Sequence, residues 1–157
     1  MKQLWKPKYS VTLSLAATCL GAALLLLMMI YARELINSLL GADPRATMGA
    51  GSGINRDARK LTIVFYACCP AGWAAIASLF KLLLNIRAGR VFTRQNGGLL
   101  RLLSWCFVFV AAACLFAQYL PMLYIFIAAG FMAILLRVVK NVIAEATLLR
   151  EENDLTI

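Results

Sequence analysis

The chain has 157 residues, 62% of them apolar and 15% charged, with no histidine, and a mean hydropathy of +0.80. Soluble domains sit near about 45–50% apolar and about 25% charged, so a single water-soluble domain is excluded as the ordinary reading. With 16 Lys and Arg against 7 Asp and Glu the formal charge is +9, which by itself suits either nucleic acid or an anionic membrane face.

The placement of the charges favours the membrane. They are absent from Tyr9 to Ala32, from Leu61 to Phe80 and from Leu102 to Leu136, together half the chain. A hydrocarbon core of about 30 Å takes about 20 helical residues at ~1.5 Å each. The first two runs are one crossing each.

The first span, residues 9–32, is marked near its inner edge by Trp5 and Tyr9 and near its outer edge by Tyr31, as expected of aromatics at headgroup depth. Lys2, Lys6 and Lys8 before an apolar stretch also suit a secretory signal, whose apolar core spans only about 7–15 residues before a small-residue cleavage site. Here the run has 24 residues, ends in Met28-Met29-Ile30-Tyr31 and meets Arg33, so a retained membrane helix is expected. An external loop follows over 33–58. Its first part, Arg33 to Leu40, keeps helical spacing of apolar residues, with Gly41 as the stop. Pro44 and the tract Gly49-Ala50-Gly51-Ser52-Gly53 then mark an exposed, flexible segment. No Gly-Lys-Ser/Thr follows the tract and no strand precedes it, which sets aside a nucleotide-binding loop.

The second span, 59–82, is expected to start from Asn55 as N-cap with Asp57 in its first turn. Cys68-Cys69-Pro70-Ala71-Gly72 predicts close helix packing and a kink at mid-membrane. Ala17 with Gly21 and Ala129 with Ala133 show the same small-residue spacing. A basic loop over 83–98 comes next: between Lys81 and Arg101 stand five cations and no acid, with Gly89 as a helix stop, Thr93 as the next N-cap and Phe92 as an anchor.

The run Leu102–Leu136 makes a helix of ~52 Å, too long for one crossing, and has Gln118-Tyr119-Leu120-Pro121 at its middle. We read it as two spans, 99–118 and 121–140, joined by a tight turn; one long proline-kinked helix is the competitor. Four crossings with the N-terminus inside put 11 cations on the cytoplasmic side and 5 outside, whereas three crossings divide them 8 to 8. The positive-inside rule therefore favours four. Beyond the last span, a cytoplasmic helix and tail over 141–157 continues an apolar seam through Leu135, Val139, Val142, Ala146 and Leu149, then ends in Glu151-Glu152-Asn153-Asp154-Leu155-Thr156-Ile157.

The fold class expected is thus all-α, an integral membrane bundle of four transmembrane helices with both termini in the cytoplasm. Chemistry-bearing residues are scarce. The spans hold no Asp, Glu, Lys or Arg, which argues against a pump, a proton-coupled carrier or an intramembrane protease. The acids are too scattered for paired general acid and base work, so no enzyme, catalytic residue, cofactor or metal is expected. Cys19, Cys68, Cys69, Cys106 and Cys114 all fall in the spans without CxxC spacing, as reduced packing residues. Ser14, Thr18, Ser78, Ser104 and Gln118 are the polar groups from which a pore would have to be built, although hydroxyls here more often satisfy backbone or bridge helices.

The stretch Gly89-Arg90-Val91-Phe92-Thr93-Arg94-Gln95-Asn96 with Leu100-Arg101, and the ending Glu152-Asn153-Asp154-Leu155-Thr156-Ile157, resemble a bacterial family of four-helix membrane proteins of about this length whose function is unknown. The resemblance implies an inner-membrane location. Members are often encoded beside a small helix-turn-helix transcription regulator, which implies a membrane partner for such a protein. On that expectation the partner-binding residues are Phe92, Thr93, Asn96, Arg101, Glu152, Asn153 and Asp154, with the acidic tail docking on the basic loop until a partner displaces it. Lipid bilayer is the other expected contact, with a homo-oligomer possible and no direct nucleic-acid binding. Two alternatives stand beside it: a small transport or permeation subunit, and a membrane protein giving immunity to a toxin.

Overall fold

The computed structural model describes residues 7–42, 53–89 and 93–154, with backbone alone at 7–10 and 150–154. It is built of four helices and, among the described residues, no strand: α1 (Pro7–Leu40), α2 (Gly53–Arg87), α3 (Arg94–Phe116) and α4 (Leu120–Asp154). All four are long and apolar enough to cross a membrane. The Gly49–Ser52 stretch, Pro44, Trp5, Phe92 and Leu155–Ile157 lie outside the described residues.

Helix ends follow local chemistry. Gly41 stops α1 at φ +63°, and Ala42 N–H donates to the Asn37 carbonyl at 2.9 Å, closing the wide C-terminal turn that a residue with left-handed backbone permits. Gly89 does the same after α2 at φ +75°, with its N–H on the Ile86 carbonyl at 3.0 Å. Between α3 and α4 the chain reverses at Gln118, which takes φ +49°, and Pro121 then occupies the first turn of α4, where its missing N–H costs nothing. The single long kinked helix is thereby overturned: a left-handed residue cannot continue a right-handed helix.

The start of α2 differs from expectation. The helix reaches back to Gly53, so Asn55 lies within its first turn rather than capping it, and Asp57 falls beyond that turn. Buried Ala58 and Leu61 hold this end by packing, which sets helix limits more strongly than a cap does. Through Pro70 the helix runs unbroken from Gly53 to Arg87.

Each helix packs antiparallel against its chain neighbour: α1 on α2, α2 on α3, α3 on α4. Because the backbones of α2 and α4 flank α3 without approaching each other, an apolar cleft of about 520 Å³ opens between them beside Ala71, Gly72, Phe107, Tyr124 and Ala129. Side-chain size is distributed as lipid solvation requires. Most buried positions are small, among them Cys69, Ser78, Cys106, Ala111, Cys114, Ala129 and Ala133, with Leu61, Leu100 and Leu103 as the large ones, whereas Leu13, Leu20, Ile30, Phe116, Phe131 and Ile134 point outward. A continuous apolar exterior of this extent is unstable in water and is the ordinary surface of a protein in lipid, where close approach over small residues replaces hydrophobic burial.

The two small-residue pairs separate at this level. Ala129 and Ala133 are buried, and Ser104 Oγ, from α3, donates across the interface to the Ala133 carbonyl at 3.0 Å. Ala17 is exposed, and a Cβ built on Gly21 meets nothing within 4 Å, so this pair holds no described helix. At the α1–α2 interface the small residue in use is Gly72, which lies against Leu25. Met29 forms the other contact: Tyr66 donates to its carbonyl at 2.8 Å and Trp73 Nε1–H to its sulfur at 3.3 Å.

Candidate functional site

Polar side chains converge where Thr93 and the start of α3 meet the far half of α4. Thr93 occupies the N-cap of α3 with extended backbone, φ −135° and ψ 145°, and its carbonyl receives the Asn96 N–H at 3.0 Å. Its side chain does not cap. Thr93 Oγ1 is buried and has no hydrogen-bond partner, a cost of about 1–3 kcal/mol that calls for explanation.

Beside Thr93 lies an open groove of about 360 Å³ between α3 and α4, walled by Arg101 on one side and by Lys140, Ile143, Thr147 and Leu148 on the other. Gly97 and Gly98 line its α3 edge, and a Cβ on either meets nothing within 4 Å. The groove is open because two successive residues of α3, Gly97 and Gly98, carry no side chain there. Thr147 is satisfied within its own helix, donating to the Ile143 carbonyl at 2.7 Å.

One turn closer to mid-membrane is a second cleft, of about 450 Å³, where Arg101, Arg137, Lys140 and Asn141 meet Ser104 and Trp105. The Arg137 guanidinium lies over the Trp105 ring, 5.6 Å from its centroid, a cation–π contact between α4 and α3. Among the described residues, neither this cleft nor the groove has an acidic side chain in its wall.

The expected partner-binding residues are therefore divided. Thr93 and Arg101 share the groove. Asn96 faces the other way: it is 1% exposed and accepts the Asn85 Nδ2–H at 2.7 Å, tying α3 to α2. Burial removes it from any surface a partner can touch, because an N-cap at Thr93 puts residue 96 on the α2 side of the first turn. Phe92 lies outside the described residues. Glu152, Asn153 and Asp154 belong to the last turn of α4, which continues helical to Asp154 and so carries the acidic turn onward along the axis of α4 instead of folding back before that residue.

The seam on α4 also requires correction. Of the expected row, Leu135, Val139, Val142 and Leu149 are exposed and only Ala146 is half-buried, whereas Ala129, Ala133, Leu136, Lys140, Ile143 and Thr147 form a continuous buried or half-buried row. This row keeps the alternating steps of four and three but lies one position along from the expected one. It contains Lys140 and Thr147, so a search for apolar residues alone passes over it; a half-buried lysine is compatible with such a row because its aliphatic stem is apolar. Trp105, Arg137 and Lys140 were not singled out from sequence as site residues, although a signal was present: Arg101 and Arg137 each stand 18 residues from Tyr119, so a reversal there sets them level.

Of the hydroxyls from which a pore would be built, Thr18 and Ser78 bond to carbonyls one turn back, at 2.8 and 2.7 Å, and Ser104 bridges helices. Among the described residues no group of three or more His, Cys, Asp or Glu side chains could hold a metal ion.

Residues 5–157 match a family described as a protein of unknown function (DUF2975). The chain belongs to this family. No curated protein and no solved structure gives a significant match. The match spans the groove, the basic link and the whole of α4, so these are parts of the family's common extent and not an appendage of one chain.

Proposed function

We propose that this DUF2975 member is a non-enzymatic interaction protein of the bacterial inner membrane, with both termini in the cytoplasm. Its polar end holds a small helix-turn-helix transcription regulator against the membrane. The observation that carries the reading is the length of α4. Its 35 residues make a rod of ~52 Å, and a hydrocarbon core of about 30 Å leaves four turns standing outside it. Along those turns Ile143, Thr147 and Leu148 face the groove whose opposite wall holds Thr93 and Arg101. A groove with apolar and cationic walls suits an amphipathic helix bearing acidic residues, one of the common modes of protein recognition. The cluster of 11 cations at this end supports a cytoplasmic placement.

Co-expression with the helix-turn-helix protein encoded beside it, followed by separation of membrane and soluble fractions, tests the proposal. Deletion of residues 151–157 and, separately, Gly98→Trp, which fills the groove, should each move the regulator to the soluble fraction. Unchanged partitioning in both variants, or the lack of any such neighbouring gene, overturns the reading. Reporter fusions at the two ends check the orientation independently.

A further inference from the structure

The cleft around Arg137 differs in kind from the groove beside it. Arg101, Arg137 and Lys140 converge on about 450 Å³ with Asn141 as a further donor and, among the described residues, no acid in the wall. Among the described residues no ion pair or hydrogen bond engages Arg101 or Lys140. Three cations held in one concavity repel one another, and that repulsion is relieved when an anion enters. Arg137 is held in place by the Trp105 ring, and guanidinium groups offer the planar, paired donors that match a phosphate oxyanion.

Depth selects the source of that anion. Arg101 and Arg137 stand 18 residues from Tyr119 on either side, ~27 Å along the helices from the α3–α4 turn, which is nearly the full thickness of a hydrocarbon core. The cleft thus lies in the phosphate layer of the leaflet opposite the turn, and Trp105, 54% exposed, occupies the depth where aromatics mark the interface. Leu102 and Ile134, on the mid-membrane side of the cations, are exposed and apolar, as a surface alongside acyl chains must be. Basic pockets between membrane helices are a recognised setting for anionic lipid headgroups.

We propose that this cleft is a binding site for the phosphodiester headgroup of one anionic phospholipid, seated between Arg101, Arg137 and Lys140 at the α3–α4 interface. The net charge of +3 selects an anionic lipid over a zwitterionic one; because Arg101 and Lys140 also line the neighbouring groove, a protein seated there shares these two cations with the lipid.

Full-length protein, delipidated in mild detergent and titrated with phosphatidylglycerol or phosphatidylcholine under native mass spectrometry, provides the test. One phosphatidylglycerol should be retained in preference to phosphatidylcholine, and a large excess of inorganic phosphate should fail to displace it. Arg101→Gln and Lys140→Gln should each weaken retention about five-fold, the share of one juxtamembrane cation. Arg101→Lys keeps the charge, loses the paired donors and should fall between Arg101→Gln and the unaltered protein. Arg33→Gln and Lys60→Gln remove equal charge at the other end of the bundle and should change nothing; helical circular dichroism confirms that each variant is folded. Equal losses from the far-end variants would reduce the effect to general surface charge and overturn the site. Indifference to lipid type would overturn it as well, and ready displacement by inorganic phosphate would make it a free-anion site instead.

Discussion

Helices α1 and α3 have closely similar mean hydropathy, yet 33% of the apolar window of α3 is buried against 6% for α1. The central helix meets neighbours on two sides with Asn96, Ser104, Cys106, Ala111 and Cys114, which are small, polar or both, and with Leu100 and Leu103. The peripheral one leans on α2 alone and shows lipid its Leu13, Leu20, Leu27 and Ile30. In lipid, hydropathy reports only that a helix belongs in the membrane. Which face is interior is written in side-chain size and hydrogen-bonding capacity, because apolar bulk is no better buried in protein than in acyl chains.

The sharpest way to break the contrast is to make the interior of α3–α4 resemble the exterior of α1. Ala133 is 4% exposed and its carbonyl receives the Ser104 hydroxyl. Ala133→Leu inserts three carbons where two helices are in contact, and overpacking of this kind costs about 1–3 kcal/mol. Ser104→Ala, which only removes the bridging donor, should cost less than Ala133→Leu. Reversible unfolding in mixed detergent micelles, followed by circular dichroism, ranks the two. Equal stabilities would mean that α3 and α4 do not approach as closely as the 3.0 Å hydrogen bond requires.

Second in size comes the clamp between α2 and α3. Asn96→Ala removes the acceptor of the half-buried Asn85 amide at a position that is itself almost fully enclosed, and loss of one partner of a buried pair costs about 1–3 kcal/mol. Adding Asn85→Ala should restore part of that loss, since both unpaired groups are then gone; a double-mutant cycle measures the coupling. Strict additivity would show that the two amides do not act as a pair. The same clamp explains why Asn96 was misplaced from sequence. An asparagine three residues after an N-cap in a basic loop reads as surface, and only the approach of Asn85 from the preceding helix makes it interior.

The unequal legibility of the rest follows similar lines. Gly41, Gly89 and the reversal before Pro121 are local in cause, because backbone handedness and a missing N–H act within three or four residues, and all three were readable. The interior face of α4 was not, because its row passes through Lys140 and Thr147 and an apolar search prefers Val139 and Val142 one step away. Ala17 with Gly21 failed for a complementary reason: small-residue spacing permits a close approach without supplying the helix that makes it. At the candidate site, Thr93 and Arg101 came from the motif, while Arg137 and Trp105 depend on a pairing between helices that nothing in either segment announces by itself.

The smallest expected effects concern how α1 is held at all. Tyr66 and Trp73 both donate to Met29, one to its carbonyl and one to its sulfur, so a single residue of α1 receives both cross-helix hydrogen bonds described at this interface. Tyr66→Phe keeps the ring and deletes one of them, and hydrogen bonds between membrane helices average about 0.6 kcal/mol. Leu20→Ala on the lipid-facing side, where Leu20 is 63% exposed, should stay within about 0.5 kcal/mol, since truncation there leaves lipid in place of leucine and no cavity. A cysteine pair placed across the Leu25–Gly72 contact, oxidised in the membrane, reads the separation of the two helices directly. Faster cross-link loss on Tyr66→Phe than on Leu20→Ala means α1 is fixed by its polar contacts at Met29. The reverse order would assign its position to the packing of Leu25 over Gly72, where shape and not hydrogen bonding decides.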